Sequence, residues 1–417
     1  MKAVTVGYVG MTHLGLNSAA AAAEKGFKTI GYDPNKELIA RLSKGHLPVV
    51  EPLLPELIQK NRDHFTFSSD LSDLDNCDLL YIAPDIPTND LGQSDLNSIC
   101  SLIDLIGNHK AIVVILSQVP PGFTRSIKRD LSQTFYQVET LIFGQAVERA
   151  LKPERFMIGA AHPEQPLPQK LAAFLESFGC PILPMRYESA ELSKITINMF
   201  LVSSVTTANT IAELCEKIGA DWAEIVPSLQ LDKRIGKHAY LSAGLGISGG
   251  NLERDLTTFC SLSDLHGTDA GVVRAWQKNS YYRRNWVLRI LQKAHLLRKE
   301  TLFGMLGIAY KKNTTSIKNS PALDLLSSLK KASVRLFDPV IKTLPDLYPN
   351  MEMAPTPQEA YKNVDVLLIM TPWDAFKELS LPEIKQQMKG KTIIDPFAIL
   401  DQKTCNELEL TYYRLGT

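Results

Sequence analysis

Glu191, Lys194 and Asn198 fall at i, i+3 and i+7 of the stretch Glu188–Gly219, ESAELSKITINMFLVSSVTTANTIAELCEKIG. That spacing places all three along one side of an α-helix. The stretch holds no proline and no internal glycine, and Leu192, Ile195, Met199 and Val202 recur at three- and four-residue steps. It therefore predicts one amphipathic helix with Gly219 as its C-cap, roughly 45 Å long at ~1.5 Å per residue. An ammonium and a carboxamide one turn apart are donors suited to an oxygen that gains negative charge during a reaction, an effect on the order of 3 kcal/mol per donor. Taken alone, the same residues also suit a solvated face with a Glu–Lys pair. The elements on either side decide between the two.

The N-terminal segments supply a cofactor site. A β-prone run, Lys2–Val6, leads into GYVGMTHLG, an alanine-rich helix ending at Gly26, and KTIGYD closing on Asp33. Strand, glycine turn, helix, strand and terminal acid make the βαβ unit that binds dinucleotides. On this assignment the turn is Gly7, Tyr8, Val9 and Gly10. Gly7 lets backbone amides approach a pyrophosphate at the helix N-terminus, and Gly10 allows close packing of helix on strand. Asp33 accepts hydrogen bonds from an adenosine ribose, which favours NAD over NADP. Thr5 stands where the first glycine of the usual fingerprint belongs. Two further strands, Asp78–Ala83 and Ala111–Leu116, run into PDIPTNDLGQSDLNSI and SQVPPGFT. Loops after the carboxyl ends of parallel strands line the cofactor crevice, which brings Pro84 and Gln118 to NAD.

A chain of 417 residues is too long for one core and predicts two or three domains. Its formal net charge is zero, and without a basic face or an acidic block neither nucleic acid nor a disordered arm is expected. The small-apolar run Ala19–Ala23 is far too short for a membrane span, and a strand so close to Met1 leaves no room for a signal peptide. The six cysteines, Cys77, Cys100, Cys180, Cys215, Cys260 and Cys405, show no paired or metal-ligand spacing. The expectation is a cytoplasmic protein with reduced cysteines and no metal.

Beyond the helix, Asp221–Leu231 reads as a short helix and RIGKHAYLSAGLGISGG as a glycine-rich loop. Gly271–Arg298 reads as a second long helical region, with its aromatics between helices and Arg283 and Arg284 on a solvated edge. A new α/β unit follows: strands at Thr301–Gly307, Val334–Asp338, Val366–Met370 and Thr392–Asp395, and a helix at Pro321–Leu329. Lys311 and Lys318 suit a pyrophosphate by charge, while Trp373 and Phe376 read as hydrophobic contacts.

GYVG with YD, GHLPVVEP, PTNDLGQSDL, SQVPPG, GQAVERALKPERFMIG, AELSKITINMF, RIGKHAYLSAGLGISGG, RDL and GIAYKKNTTSIKNSPAL follow one another in this chain. In order and spacing they resemble the UDP-glucose/GDP-mannose dehydrogenase family over nearly the whole length. The resemblance implies an α/β fold of two Rossmann-like domains joined by a helical central domain with a long connecting helix. The NAD-binding domain would span 1–186, the central domain with substrate loop and dimer contact 187–298, and the nucleotide-sugar-binding domain 299–417. It implies NAD as cofactor, a UDP- or GDP-linked sugar held between the two Rossmann-like domains, and a C2 homodimer. It also implies catalytic roles for Glu139, Lys194, Asn198 and Asp255, and substrate contacts from Arg234, Tyr240, Gly244, Gly246 and Lys311.

Departures from the family pattern are specific. Gln118 stands where the family has a threonine, Phe143 replaces a second glutamate, and Ser316 and Lys318 replace an acid and an arginine. Counting back from Asp255 puts Asn251 at the catalytic cysteine. Family members oxidise a sugar alcohol by four electrons, trapping the aldehyde as a thiohemiacetal that becomes a thioester. An asparagine amide is not a nucleophile, and Cys260, nine residues further on, lies about two and a half turns away and reads as core. What remains supports one hydride transfer, with Lys194 and Asn198 donating to the alkoxide and Asp255 or Glu139, through a water, receiving the proton. The favoured expectation is a single two-electron oxidation, or its reverse, of a nucleotide-linked sugar, most naturally a UDP-hexose. Full oxidation to a uronate through a hydrated aldehyde, and a non-catalytic or redox-neutral nucleotide-sugar-binding relative, are the alternatives.

Overall fold

The computed structural model describes residues 4–89 and 92–417. Lys2 and Ala3 of the predicted first strand, and Asp90 and Leu91 of the PTNDLGQSDL turn, lie outside the described residues. Short apolar runs bounded by glycine, proline and acidic residues form the strands of two sheets. The first sheet contains β1 (Thr5–Val9), β2 (Lys28–Tyr32), β3 (Phe65–Ser68), β4 (Leu79–Ile82), β5 (Ile112–Ile115), β6 (Thr134–Gln137), β7 (Phe156–Ala160) and β8 (Ile182–Arg186). Their order is β3-β2-β1-β4-β5-β6-β7-β8, and every pairing is parallel except β6 with β7. The second contains β9 (Leu302–Leu306), β10 (Ser333–Phe337), β11 (Met351–Met353), β12 (Val366–Ile369), β13 (Thr392–Ile394) and β14 (Thr411–Tyr413), in the order β11-β10-β9-β12-β13-β14, all parallel. In both, the chain reverses direction across the sheet after the third strand, which makes a switch point between the first and fourth. LLYI and IVVI, the sequences of β4 and β5, are buried throughout, as central strands covered on both faces must be.

The first strand lies further along than Lys2–Val6. Val6 and Tyr8 face one core and Val9 the other, and the Tyr8 ring stacks on Tyr81 with centroids 5.0 Å apart. Alternation of large side chains across the pleat therefore sets the register. Gly7 is inside the strand, where a Cβ would sit 2.6 Å from a Leu80 methyl. Helix α1 (His13–Glu24) lies against this sheet, and the run Ala19–Ala23 is buried, small side chains bringing helix and sheet close.

The long predicted helix is α2 (Tyr187–Ile218), followed by Gly219 at φ +75°. Its length and hydropathy would also suit a membrane crossing, but Tyr187 and Ala190 pack in one protein core and Ala208, Ala212 and Cys215 in another with Trp222. Two compact units, Met1–Ile197 and Asn198–Thr417, divide within α2.

In the first unit Glu191 is fully buried and accepts from the N–H of Gly122 (2.5 Å) and of Thr124 (2.8 Å), fastening the start of α2 to the turn after β5. Glu191→Ala would strand both donors at about 1–3 kcal/mol each, so a stability loss of about 3 kcal/mol is expected in denaturant unfolding. Burial also raises the Glu191 carboxyl above its ordinary value. The folded chain holds that proton to higher pH than the unfolded one, so this group's contribution falls as pH rises past the ordinary carboxylate range. Glu191→Gln should remove that slope. A flat pH dependence in the parent protein would contradict the assignment.

In the second unit, α3 (Trp222–Leu231), α4 (Asn251–His266), α5 (Gly271–Arg284) and α6 (Trp286–Lys293) follow α2. Leu245, Trp286, Val287 and Leu291 share one apolar cluster with the second sheet. The region expected as one helix over 271–298 breaks at Asn285, and its two arginines are not a solvated edge. Arg283 is 0% and Arg284 8% exposed. Arg283 lies 3.0 Å from Glu213 on α2, while Arg284 donates to the Ile247 carbonyl (2.6 Å) and pairs with Glu253. Carboxylates and a carbonyl from other elements answer both charges, which is what allows their burial.

Candidate active site

At the end of β1 the chain turns at Gly10, with φ +100°, and a Cβ there would sit 2.9 Å from the Pro84 nitrogen. One turn on, a Cβ at Gly15 would collide with the Gly10 carbonyl. These are the tight-turn and helix-packing glycines of a dinucleotide fingerprint, so the fingerprint is Gly10–Gly15, GMTHLG, with Thr12 at the middle glycine. Matching GYVG to the turn places the fingerprint five residues early, at Thr5, Gly7 and Gly10. Gly7, Tyr8 and Val9 belong to β1 and its core, which removes them from the turn, and the apparent defect at Thr5 disappears with the shift. Asp33 ends β2 as expected. Its carboxylate accepts from Met11 N–H (2.9 Å) and Asn35 N–H (3.0 Å), holding the turn. Pro84 is buried against Gly10, and Gln118 is half-buried just past β5. The cradle at Gly10 and Gly15, which a Cβ would fill, and Asp33 beside it fit the adenosine half of NAD.

Glu139 lies just past β6, and its carboxylate is 3.6 Å from the Lys194 ammonium, with the two side chains 17% and 15% exposed. Glu139 also accepts from Leu141 N–H. Phe143 stacks on His13 at 4.1 Å. Below them Glu51, buried, meets His13 Nε2 (2.9 Å) and accepts from Gly144 N–H (3.0 Å) and Ala146 N–H (2.9 Å). Sequence reasoning did not single out Glu51; its signal was the segment GHLPVVEP, which contains it.

In the second unit Asn198 and Asp255 are both buried, and the Asn198 amide donates to the Asp255 carboxylate, which also faces Arg254 Nε at 3.2 Å. Asn251 is the first residue of α4 and is exposed. The loop before it is tied down, not slack. Gly249 N–H donates to the Lys318 carbonyl (3.1 Å), Asn319 Nδ2 to the Gly249 carbonyl (3.1 Å), and Ile247 N–H to Ser280 Oγ (2.7 Å). Gly249 has φ +81°, and a Cβ there would meet the Tyr310 ring at 2.8 Å. A helix N-terminus stabilises a thiolate, and this one presents a carboxamide. Cys260 is buried in α4, and burial raises its thiol, so it is an inert core residue.

Of the substrate residues, Gly246 turns against Ser280 and Gly244 N–H donates to Asn209 Oδ1 (2.7 Å). Tyr240 is exposed. The Arg234 side chain is 89% exposed, paired with Asp232 at 2.7 Å. The Lys311 ammonium lies 5.7 Å from the centre of the Tyr310 ring. Among the described residues no cluster of His, Cys, Asp and Glu is placed to hold a metal ion.

Three family models match the chain in succession: the NAD binding domain of the UDP-glucose/GDP-mannose dehydrogenase family over residues 4–176, its central domain over 188–280 and its UDP binding domain over 304–402. These matches define an NAD-dependent oxidoreductase of nucleotide-linked sugars. The chain is 30% identical to the UDP-glucose 6-dehydrogenase of Rickettsia prowazekii, covering 99% of this chain and 100% of that protein. It is 29% identical to UDP-glucose 6-dehydrogenase TuaD of Bacillus subtilis, covering 100% and 93%. The solved structure of a UDP-glucose dehydrogenase from Pyrobaculum islandicum, 25% identical, matches with TM-score 0.85 over 99% of this chain and 97% of that one. The chain belongs to the UDP-glucose/GDP-mannose dehydrogenase family, and its cofactor is NAD.

Proposed function

We propose that this chain oxidises the primary alcohol of a UDP-linked hexose once, to the aldehyde, forming one NADH per sugar. The observation that carries this is Asn251 at the head of α4, where the family pattern has its nucleophilic cysteine. The matched UDP binding domain and the UDP-glucose 6-dehydrogenases among the relatives support the substrate class.

NAD, when bound, accepts the hydride from the alcohol carbon. Lys194 and Asn198 donate hydrogen bonds to the oxygen as it takes on negative charge and becomes the carbonyl. The hydroxyl proton passes through a water to Glu139, which keeps some exposure, whereas Asp255 is 1% exposed. Asp255 is accordingly assigned the task of orienting the Asn198 amide. Without a thiol to hold the aldehyde carbon, no thioester forms, which closes that route to the second oxidation.

The test is NADH formed per sugar consumed across a panel of UDP- and GDP-sugars, with product mass. One NADH and loss of two hydrogens is the expected outcome. Two NADH with a carboxylate would overturn the proposal.

A further inference from the structure

The first N–H groups of a helix need acceptors from outside it. Thr12, at the N-cap of α1, makes no side-chain cap bond. Its hydroxyl donates instead to the Ala83 carbonyl (3.3 Å) and accepts from Asp85 N–H (2.8 Å). Asp85 is the acceptor that reaches the helix, its Oδ2 lying 3.0 Å from His13 N–H. In this fold the positive end of the first helix is where a dinucleotide's pyrophosphate sits, and the middle glycine of the fingerprint lets the backbone come close to it. Here the middle position carries the Thr12 side chain, and a carboxylate already holds the first helical amide.

We propose that Asp85 stands in the place of the NAD pyrophosphate and must swing out for the cofactor to bind. Two anions cannot share one N–H, so the fraction of molecules in which Asp85 has left the helix scales the apparent affinity. Asp85 is exposed as a residue, while its carboxyl, desolvated against the helix end, is raised above its ordinary value, so leaving the helix returns it to solvent. The carboxylate sets cofactor affinity, and it does so by charge. This holds whatever the sugar and however many times it is oxidised.

The test is calorimetric titration of the full chain with NAD, ADP-ribose and adenosine, comparing the parent with Asp85→Asn and Asp85→Gly. The asparagine variant keeps an acceptor for His13 N–H, which separates charge from folding. Both variants should bind NAD and ADP-ribose about tenfold more tightly at low salt, with adenosine unchanged. The gain should shrink towards 1 M salt, where screening acts over about 3 Å. Unchanged or weaker NAD binding in both variants would overturn the proposal. So would an equal gain for adenosine, which carries no pyrophosphate.

Discussion

Asn251→Cys is expected, on the proposed single oxidation, to raise NADH per sugar from one towards two, with a carboxylate appearing in the product. The substituted thiol would head α4, where the helix end favours the thiolate over the thiol. The preceding loop is held by bonds from Gly249, Asn319 and Ile247, so the new sulfur would enter a fixed position. Thiolate addition to the aldehyde carbon gives a thiohemiacetal, whose hydride a second NAD can accept. The thioester so formed is hydrolysed by water, regenerating the thiol and releasing the acid. Asn251→Ala is the control. It should stay at one NADH, because the amide it removes takes no part in bond making. Intact-protein mass of Asn251→Cys with sugar and limiting NAD should show the covalent adduct. If no adduct forms and the product remains the aldehyde, residue 251 does not face the reacting carbon, and the missing nucleophile is not what stops the natural protein.

Segments whose local pattern and tertiary environment agree were legible in the sequence. β4 and β5 are apolar in every residue because both their faces are covered, and α2 announces its end with Gly219. The turn glycines were misplaced because GYVG has the right letters while belonging to a strand. The alternation of Val6 and Tyr8 against Val9 carried the correction, and reading TVGYV as the strand moves the turn to Gly10. Arg283 and Arg284 were placed outside because charge signals solvent. Groups distant in sequence, among them the carboxylates Glu213 and Glu253 and the Ile247 carbonyl, make their burial tolerable. Asp85 carried no signal either: an acid in a turn is unremarked until its carboxylate is found on the His13 amide, 72 residues earlier in the chain. The pairs Lys194–Glu139 and Asn198–Asp255 are more instructive. One helix supplies the first member of each, legible from spacing, while the second member comes from a distant segment that spacing cannot reach and only the family pattern indicated.

Lys194→Ala is expected to lower kcat by about 10²–10³-fold while leaving KM for the sugar nearly unchanged. On the proposed mechanism the ammonium is one of two donors offered to an oxygen whose charge develops only as the hydride leaves, so its effect falls on the transition state more than on the bound alcohol. The Glu139 carboxylate 3.6 Å away and the low exposure of both side chains hold it in place before substrate arrives. Lys194→Arg keeps the charge but replaces a compact ammonium with a planar fork, and should recover only part of the loss. A purely structural ion pair makes a different forecast: both variants would lower the thermal midpoint, and kcat per folded molecule would hold. Steady-state kinetics on samples matched for folded fraction separates the two. A rise in KM with kcat intact would assign Lys194 to ground-state binding and leave Asn198 as the donor to the developing charge.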